Sequence, residues 1–175
     1  MTIALLIVDM QNLFLQERME KLQVPEACEY INHVAELLRA QDQVVIHIHD
    51  MEGSTEDTNP EARHTIPQIT VGPQDLQVAK EYSNAFWKTD LEEQLRAQGV
   101  DFVIVAGFAA EHCVTFTANG AVERGFPVAI LQKGILSTKP EAIISLYQDR
   151  HMISYPVVEY MVQSFRVNNK RIFPE

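Results

Sequence analysis

Three residues of this chain, Cys113, Asp9 and Lys80, are of the types that together carry out covalent catalysis at a carbonyl carbon. Cys113 comes shortly after Gly107, which interrupts an apolar run, and the sequence predicts that a helix begins there. The first turn of a helix has unpaired N–H groups and the positive end of the backbone dipole, so this position favours the thiolate form of a cysteine. We therefore predict that Cys113 is a nucleophile. The alternative is that it packs under the sheet, as many buried cysteines do.

The aspartate and the lysine can supply the other two functions that a thiol nucleophile needs. Asp9 follows the apolar run 3–8. Lys80 ends the short segment 76–80. Both are predicted at the carboxyl ends of adjacent parallel strands, the edge at which open α/β sheets bind ligands. A carboxylate there can take the thiol proton, and an ammonium group stabilises the thiolate and the charge that moves during attack. The alternative for Asp9 is a structural cap of a helix or turn.

Strands and helices alternate along the predicted chain. The predicted strands are residues 3–8, 44–48, 76–80, 102–106, 126–131 and 152–155. The predicted helices are residues 25–40, a helix from 89 that Gly99 terminates, and residues 113–124, 140–148 and 156–165. This alternation predicts one domain, residues 1–175, built as a three-layer α/β/α sandwich with a mostly parallel, Rossmann-like central sheet.

Residues 51–73 are polar, contain proline and glycine, and lack a helical period. This pattern predicts a long loop, which we expect to act as a lid or as a subunit contact. Just before this loop, His47 and His49 lie on a strand and share one face, so one alternative is a metal site completed by Asp50 or His64. The spacing fixes no third ligand, and we therefore predict no metal site.

The composition narrows the class of partner. The chain has 175 residues and a formal net charge of -10, which disfavours nucleic acids and anionic membranes and favours a small-molecule substrate. No apolar run has the length of a membrane helix, and the N-terminus lacks the features of a cleaved signal, so we expect a cytoplasmic protein. The two cysteines, Cys28 and Cys113, have no spacing typical of a disulfide or a zinc site, and no cofactor is predicted.

Three stretches of the sequence resemble the isochorismatase-like cysteine hydrolases. They are ALLIVDMQNLF near the start, KEYSNAF in the middle and GFAAEHCVTFTA before a helix, and their order is that of the superfamily. The resemblance implies that Asp9 is the general base, Lys80 the catalytic lysine and Cys113 the nucleophile. It also implies a cis peptide bond between Phe108 and Ala109, which would direct the Ala109 N–H, together with the Cys113 N–H, at the oxyanion.

The superfamily includes nicotinamidases, N-carbamoylsarcosine amidases, ureidoacrylate and biuret hydrolases, and isochorismatases. The retained cysteine implies hydrolysis of a small amide, ureide or related C–N substrate through a thioester. The alternatives are vinyl-ether hydrolysis of the isochorismatase type and a non-catalytic binding protein that kept the fold. This sequence departs from the superfamily at Ala110, where many relatives have threonine, and it does not match the metal-binding motif of the nicotinamidases. A homo-oligomer is expected because the superfamily commonly forms oligomers.

Aromatic residues close to the predicted sheet edge are candidates for the walls of a substrate pocket. They are Phe14, Phe86, Trp87, Phe108 and His112. The alternative is that these side chains pack against the sheet, which is the commoner role of an aromatic residue at such an edge.

Overall fold

The computed structural model describes residues 1–55 and 57–172. Its centre is a sheet of six parallel strands in the order β3-β2-β1-β4-β5-β6. The strands are β1 (Thr2–Val8), β2 (Val44–Asp50), β3 (Leu76–Lys80), β4 (Val100–Phe108), β5 (Val128–Leu136) and β6 (Met152–Ile153). Each predicted strand is present, and the parallel sheet confirms the predicted fold class.

Helices connect the strands and cover both faces of the sheet. The α-helices are α1 (Asn12–Leu15), α2 (Val24–Arg39), α3 (Pro60–Arg63), α4 (Leu91–Ala97), α5 (Thr115–Glu123), α6 (Pro140–Asp149) and α7 (Tyr155–Ile172). A 3-10 turn, Gln16–Arg18, follows α1, and a π-helical turn, Ala110–Val114, precedes α5. Among the described residues, no helix combines the length and the apolar character needed to cross a membrane.

Two apolar clusters lie on opposite faces of the sheet. On one face α2 and α7 pack against alternate side chains of β1, such as Leu5 and Ile7. On the other face α4, α5 and α6 pack against the intervening side chains, such as Leu6 and Val8. Because β1 is buried on both faces, it reads as a continuous apolar run in the sequence. Asp9, the first residue after this strand, is therefore carried into the interior.

The position of β3 corrects one expectation. We predicted that the strands of Asp9 and Lys80 are adjacent, but β3 pairs with β2 and lies at an edge of the sheet. Both hydrogen-bonding edges of β1 are occupied, by β2 and by β4, so β3 cannot pair with β1 and instead joins on the outer side of β2. Lys80 must therefore reach across the end of β2 to meet Asp9.

Gly107 allows β4 to approach β1 closely near their carboxyl ends. It has a φ of +114°, and a Cβ at this position would lie 2.1 Å from the carbonyl oxygen of Val8. Any side chain would force the two strands apart, so only glycine fits here. This contact brings the segment that leads to Cys113 beside Asp9.

Candidate active site

The ammonium group of Lys80 lies at the centre of a buried polar cluster at the carboxyl edge of the sheet. Its Nζ is 2.9 Å from Oδ2 of Asp9, 3.0 Å from Oδ2 of Asp50 and 3.4 Å from Sγ of Cys113. The Lys80 side chain is completely inaccessible to solvent. The cluster thus contains one cation, two carboxyl groups and one thiol, and Lys80 contacts the other three residues.

The backbone of β2 and β3 places Lys80 in this cluster. Lys80 is in register with Asp50, so both side chains leave the same end of neighbouring strands. The backbone N–H of Met51 donates a hydrogen bond of 2.7 Å to the carbonyl oxygen of Lys80, which extends the pairing by one residue. The long lysine side chain then spans the end of β2 toward Asp9.

Asp9 is held by its backbone in an unusual conformation. It has a φ of 50°, its N–H donates to the carbonyl oxygen of Ile48 at 3.0 Å, and its own carbonyl oxygen accepts from the N–H of Gln11 at 2.8 Å. Within the part of the chain that the structure describes, Oδ1 of Asp9 has no hydrogen-bond partner. Burial raises the pKa of Asp9 to about 6 although Lys80 opposes the rise, so this carboxyl group exchanges protons near neutral pH.

Cys113 lies in the π-helical turn Ala110–Val114, and α5 begins after this turn, at Thr115. Burial and the charge of Asp9 raise the pKa of the thiol to about 12, although Lys80 opposes the rise. This corrects the expectation that the position favours thiolate. The loss of water and the charge of Asp9 both favour the thiol, and α5 begins only at Thr115, so a base must remove the proton of Cys113.

Lys80 remains an ammonium group in this setting. Burial lowers its pKa, but the charge of Asp9 and the hydrogen bonds to Asp9 and Asp50 raise it, and the net shift is upward. The cluster therefore keeps a fixed positive charge beside the sulfur atom.

The peptide bond between Phe108 and Ala109 is cis. The carbonyl oxygen of Ala109 accepts hydrogen bonds from the N–H groups of His112 at 3.0 Å and Val114 at 3.2 Å. His112 has φ −124° and ψ −107°, which are not helical values. The turn thus changes direction at the residue immediately before Cys113.

The segment after Lys80 is locked onto the helix that follows Cys113. The hydroxyl oxygen of Thr117 on α5 accepts a 3.1 Å hydrogen bond from the N–H of Ala85. A Cβ at Gly120 would lie 2.4 Å from Oδ1 of Asn84, so α5 and this segment are in direct contact. The KEYSNAF stretch therefore fixes the distance between the lysine strand and the cysteine turn.

Two residues of the site, Asp50 and Gln11, are absent from the predicted catalytic set. Gln11 is fully buried; its Oε1 accepts from the N–H of Asp50 at 2.7 Å, and its Nε2 donates to the carbonyl oxygens of Asp50 at 3.2 Å and Arg63 at 2.8 Å. This side chain thus links the chain after β1 to the end of β2. A signal was present in the sequence, because Asp50 lies at the carboxyl end of the run VVIHIHD, much as Asp9 follows the run of β1.

The predicted pocket aromatics occupy different environments. Phe14 and Phe108 are half-buried and stack with their ring centroids 5.8 Å apart. Phe86 is buried and stacks on Phe126, while Trp87 and His112 are exposed. Their role in binding a substrate stays a prediction.

The two histidines of β2 make separate hydrogen bonds. Nε2 of His47 is 2.8 Å from Oδ2 of Asp75, and Nε2 of His49 is 2.8 Å from Oγ1 of Thr65. Burial lowers the pKa of His49 to about 4, so its ring is neutral. These separate partners do not fit a shared metal site.

Within residues 1–55 and 57–172, one group of side chains has the spacing of metal ligands, namely Asp9, Asp50 and Cys113, whose ligand atoms lie within 4.8 Å of one another. The Lys80 ammonium group already contacts all three of them. A cation of this charge occupies the place that a metal ion would take, so this set does not fit a metal site.

The predicted loop 51–73 contains the short helix α3 and forms an isolated bridge between Thr65 and Gln11, which follows β1; Glu56 lies outside the described residues. A cavity of about 720 Å³ lies between this loop and β3, lined among others by His49, Arg63 and Gln77. None of Asp9, Lys80 and Cys113 lines it. Whether the loop acts as a lid or as a subunit contact stays a prediction.

Comparison with known proteins assigns this fold to the isochorismatase-like hydrolases. The family model described as "Isochorismatase domain" matches residues 3–145. The chain therefore belongs to the isochorismatase family.

Relatives of known sequence and structure fit this assignment. An uncharacterized isochorismatase family protein of Bacillus subtilis is 31% identical over 79% of this chain and 82% of its own length. Maleamate amidohydrolase of Pseudomonas putida is 35% identical, but over only 36% of this chain and 30% of its own length. The crystal structure of N-carbamoylsarcosine amidase from Thermoplasma acidophilum has a TM-score of 0.77 at 22% identity and covers 89% of this chain and 97% of that protein, which is a likeness of fold.

Proposed function

We propose that this protein is a cysteine-dependent hydrolase of a small amide, ureide or related C–N substrate, with Asp9, Lys80 and Cys113 as the catalytic residues. The observation that carries the proposal is the position of the buried Lys80 ammonium group, 2.9 Å from a carboxylate oxygen of Asp9 and 3.4 Å from the sulfur of Cys113. A base, a fixed cation and a thiol in mutual contact are the components of nucleophilic catalysis at a carbonyl.

The first half of the reaction forms a thioester. The sulfur of Cys113 attacks the carbonyl carbon of the substrate while its proton passes to the carboxylate of Asp9. The backbone N–H groups of Ala109 and Cys113 donate hydrogen bonds to the resulting oxyanion. The neutral Asp9 then gives its proton to the leaving nitrogen, the C–N bond breaks, and the acyl group stays on sulfur.

The second half releases the acid. Asp9, again ionised, takes a proton from a water molecule as the water oxygen attacks the thioester carbon. The C–S bond breaks, and Asp9 returns its proton to the sulfur. The pKa values fit the starting protonation states: at pH 7 an aspartate with a pKa of about 6 is mostly ionised and can accept a proton, whereas a thiol with a pKa of about 12 is protonated.

The test is to trap the acyl-enzyme. The protein is incubated with a panel of small amides and ureides and with isochorismate, quenched in acid, and mapped by peptide mass spectrometry. We expect an acyl mass on Cys113 with at least one C–N substrate, no such mass in Cys113→Ala, and an unchanged result in the control Cys28→Ala. Turnover of isochorismate without any adduct would assign the vinyl-ether reaction, and the absence of both would contradict the proposal.

A further inference from the structure

We infer that Asp50 is a positioning residue that keeps the Lys80 ammonium group in place while Asp9 carries the proton of the thiol. The inference rests on the proposed function, because it concerns the same reaction. It assigns a role to a carboxyl group that the catalytic set of Asp9, Lys80 and Cys113 does not include.

The partners of Lys80 change during the proposed reaction. In the resting site its ammonium group has two anionic contacts, at 2.9 Å from Asp9 and at 3.0 Å from Asp50. When Asp9 accepts the proton of Cys113, the first of these contacts loses its charge. Among the described residues, Asp50 then provides the other carboxylate in contact with Lys80, and the buried cation keeps a partner of opposite charge.

Asp50 is itself fixed from several sides. Its Oδ1 accepts a 2.8 Å hydrogen bond from the N–H of Glu52, which leaves Oδ2 directed at Lys80. Its backbone N–H and carbonyl oxygen are both bound by the Gln11 amide, and the carbonyl oxygen also accepts from Arg63 at 3.0 Å. A carboxylate held this firmly can define the position of the lysine that it binds.

Asp50 also acts on the base through its charge. The titratable groups that face Asp9 are Lys80 from β3, Asp50 from β2 and Cys113 from the π-helical turn, and the charge of Asp50 contributes to the raised pKa of Asp9. Replacing Asp50 with a neutral residue should therefore lower the pKa of Asp9 and make it a weaker base. A residue that served only to hold the fold together would not change this titration.

The experiment measures alkylation of Cys113 by iodoacetamide between pH 5 and pH 8, with mass spectrometry of the Cys113 and Cys28 peptides. It needs no substrate. Because Asp9 must be ionised to take the thiol proton, the wild-type rate should follow a pKa of about 6, so that the rate at pH 5 is about a tenth of the rate at pH 8. The variant Asp9→Asn should lose this dependence.

We compare Asp50→Asn and Asp50→Ser, which are neutral but keep an oxygen for the Glu52 N–H, with Asp50→Glu, which keeps the charge. In both neutral variants the ratio of the pH 5 rate to the pH 8 rate should rise at least about threefold, since Asp9 is ionised at lower pH. Asp50→Glu should return the ratio toward the wild-type value.

Each contrary result has a distinct meaning. If wild-type Cys113 is alkylated no faster than Cys28, the proposed function fails. If wild-type labelling follows Asp9 but neither neutral variant changes the ratio, the role of Asp50 is refuted and the proposed function stands. If both neutral variants fail to fold, as judged by circular dichroism, Asp50 is a structural residue and the inference is likewise overturned.

Discussion

Replacing Lys80 with methionine should make the stability of the protein strongly dependent on pH. The substitution keeps an apolar stem of similar length in a fully buried position but removes the ammonium group. Two carboxyl groups, Asp9 and Asp50, then lose the cation that lies 2.9 Å and 3.0 Å from their oxygens. Breaking a buried ion pair by removing one partner costs about 3–5 kcal/mol.

The loss of stability in Lys80→Met depends on the protonation of Asp9. In the wild type the pKa of Asp9 is raised to about 6 by burial even though Lys80 lowers it, so without Lys80 it rises further. The folded variant then keeps a proton on Asp9 above pH 6, whereas the unfolded chain, with the ordinary aspartate pKa of 3.8, does not. By linkage, the stability of the variant falls by up to about 1.4 kcal/mol for each pH unit in this range, while the Asp9 contribution in the wild type levels off once the pH exceeds its pKa of about 6.

The assay is urea unfolding of the wild type and Lys80→Met at pH 6, 7 and 8, followed by circular dichroism. The difference in the free energy of unfolding should widen by about 1–3 kcal/mol from pH 6 to pH 8. Lys139→Met is the matched control, because it removes an exposed lysine. Its free energy of unfolding should stay close to that of the wild type at all three pH values.

A difference for Lys80→Met that is constant over this range would refute the reasoning, since Lys80 and Asp9 would then not be coupled. The variant should also lose turnover by at least about a hundredfold, the usual effect of removing a positioned catalytic group.

Four further predictions concern the site, the metal, the assembly and the histidines. The double variant Asp9→Asn with Cys113→Ala should turn over substrate hardly more slowly than Cys113→Ala alone, because both residues act on one proton transfer; multiplied losses in steady-state kinetics would contradict this. Dialysis against a chelator should leave turnover unchanged, and a loss that zinc or manganese restores would be evidence for a metal site. Light scattering at micromolar concentration should give the mass of a homo-oligomer, and a monomer mass would speak against it. The contribution of His49 to stability should be lost as the pH falls from 6.5 toward 4, because burial lowers the pKa of His49 to about 4 and the unfolded chain binds the proton first; in urea unfolding the stability of the wild type relative to His49→Gln should therefore decrease over this range, and a constant difference would exclude this role of His49.

Much of the fold can be predicted from the apolar runs. A strand that is buried on both faces, such as β1, appears in the sequence as an unbroken apolar run. Its end at Val8 is therefore predicted correctly. The sequence pattern predicts that β2 ends at Ile48, whereas the strand continues through His49 to Asp50. The last residues of the strand are polar, but the backbone hydrogen bonds to β3 do not depend on side-chain polarity, so the pattern ends before the strand does.

Some features of the site could not be predicted from the sequence, because they depend on how the strands pair. The sequence indicates Asp50 only as a possible metal ligand, because the register of β2 with β3, which pairs Asp50 with Lys80, cannot be read from the sequence. The order of strands along the chain does not give their order in the sheet, so the reach of Lys80 across β2 was also not predicted. Gln11 was not recognised, because its role depends on a partner 39 positions away in the sequence.

The place of β1 in the sheet has a consequence for synthesis of the chain. β1 lies between β2 and β4, and the chain makes β4 only after the long loop, β3 and α4. While the nascent chain is elongating, one hydrogen-bonding edge of a very apolar strand is therefore open after β2 has paired with the other. Open edges of apolar strands associate with other chains. Chaperones that bind extended apolar segments should accordingly recognise the nascent chain most strongly before β4 emerges from the ribosome, and release it as β4 closes that edge.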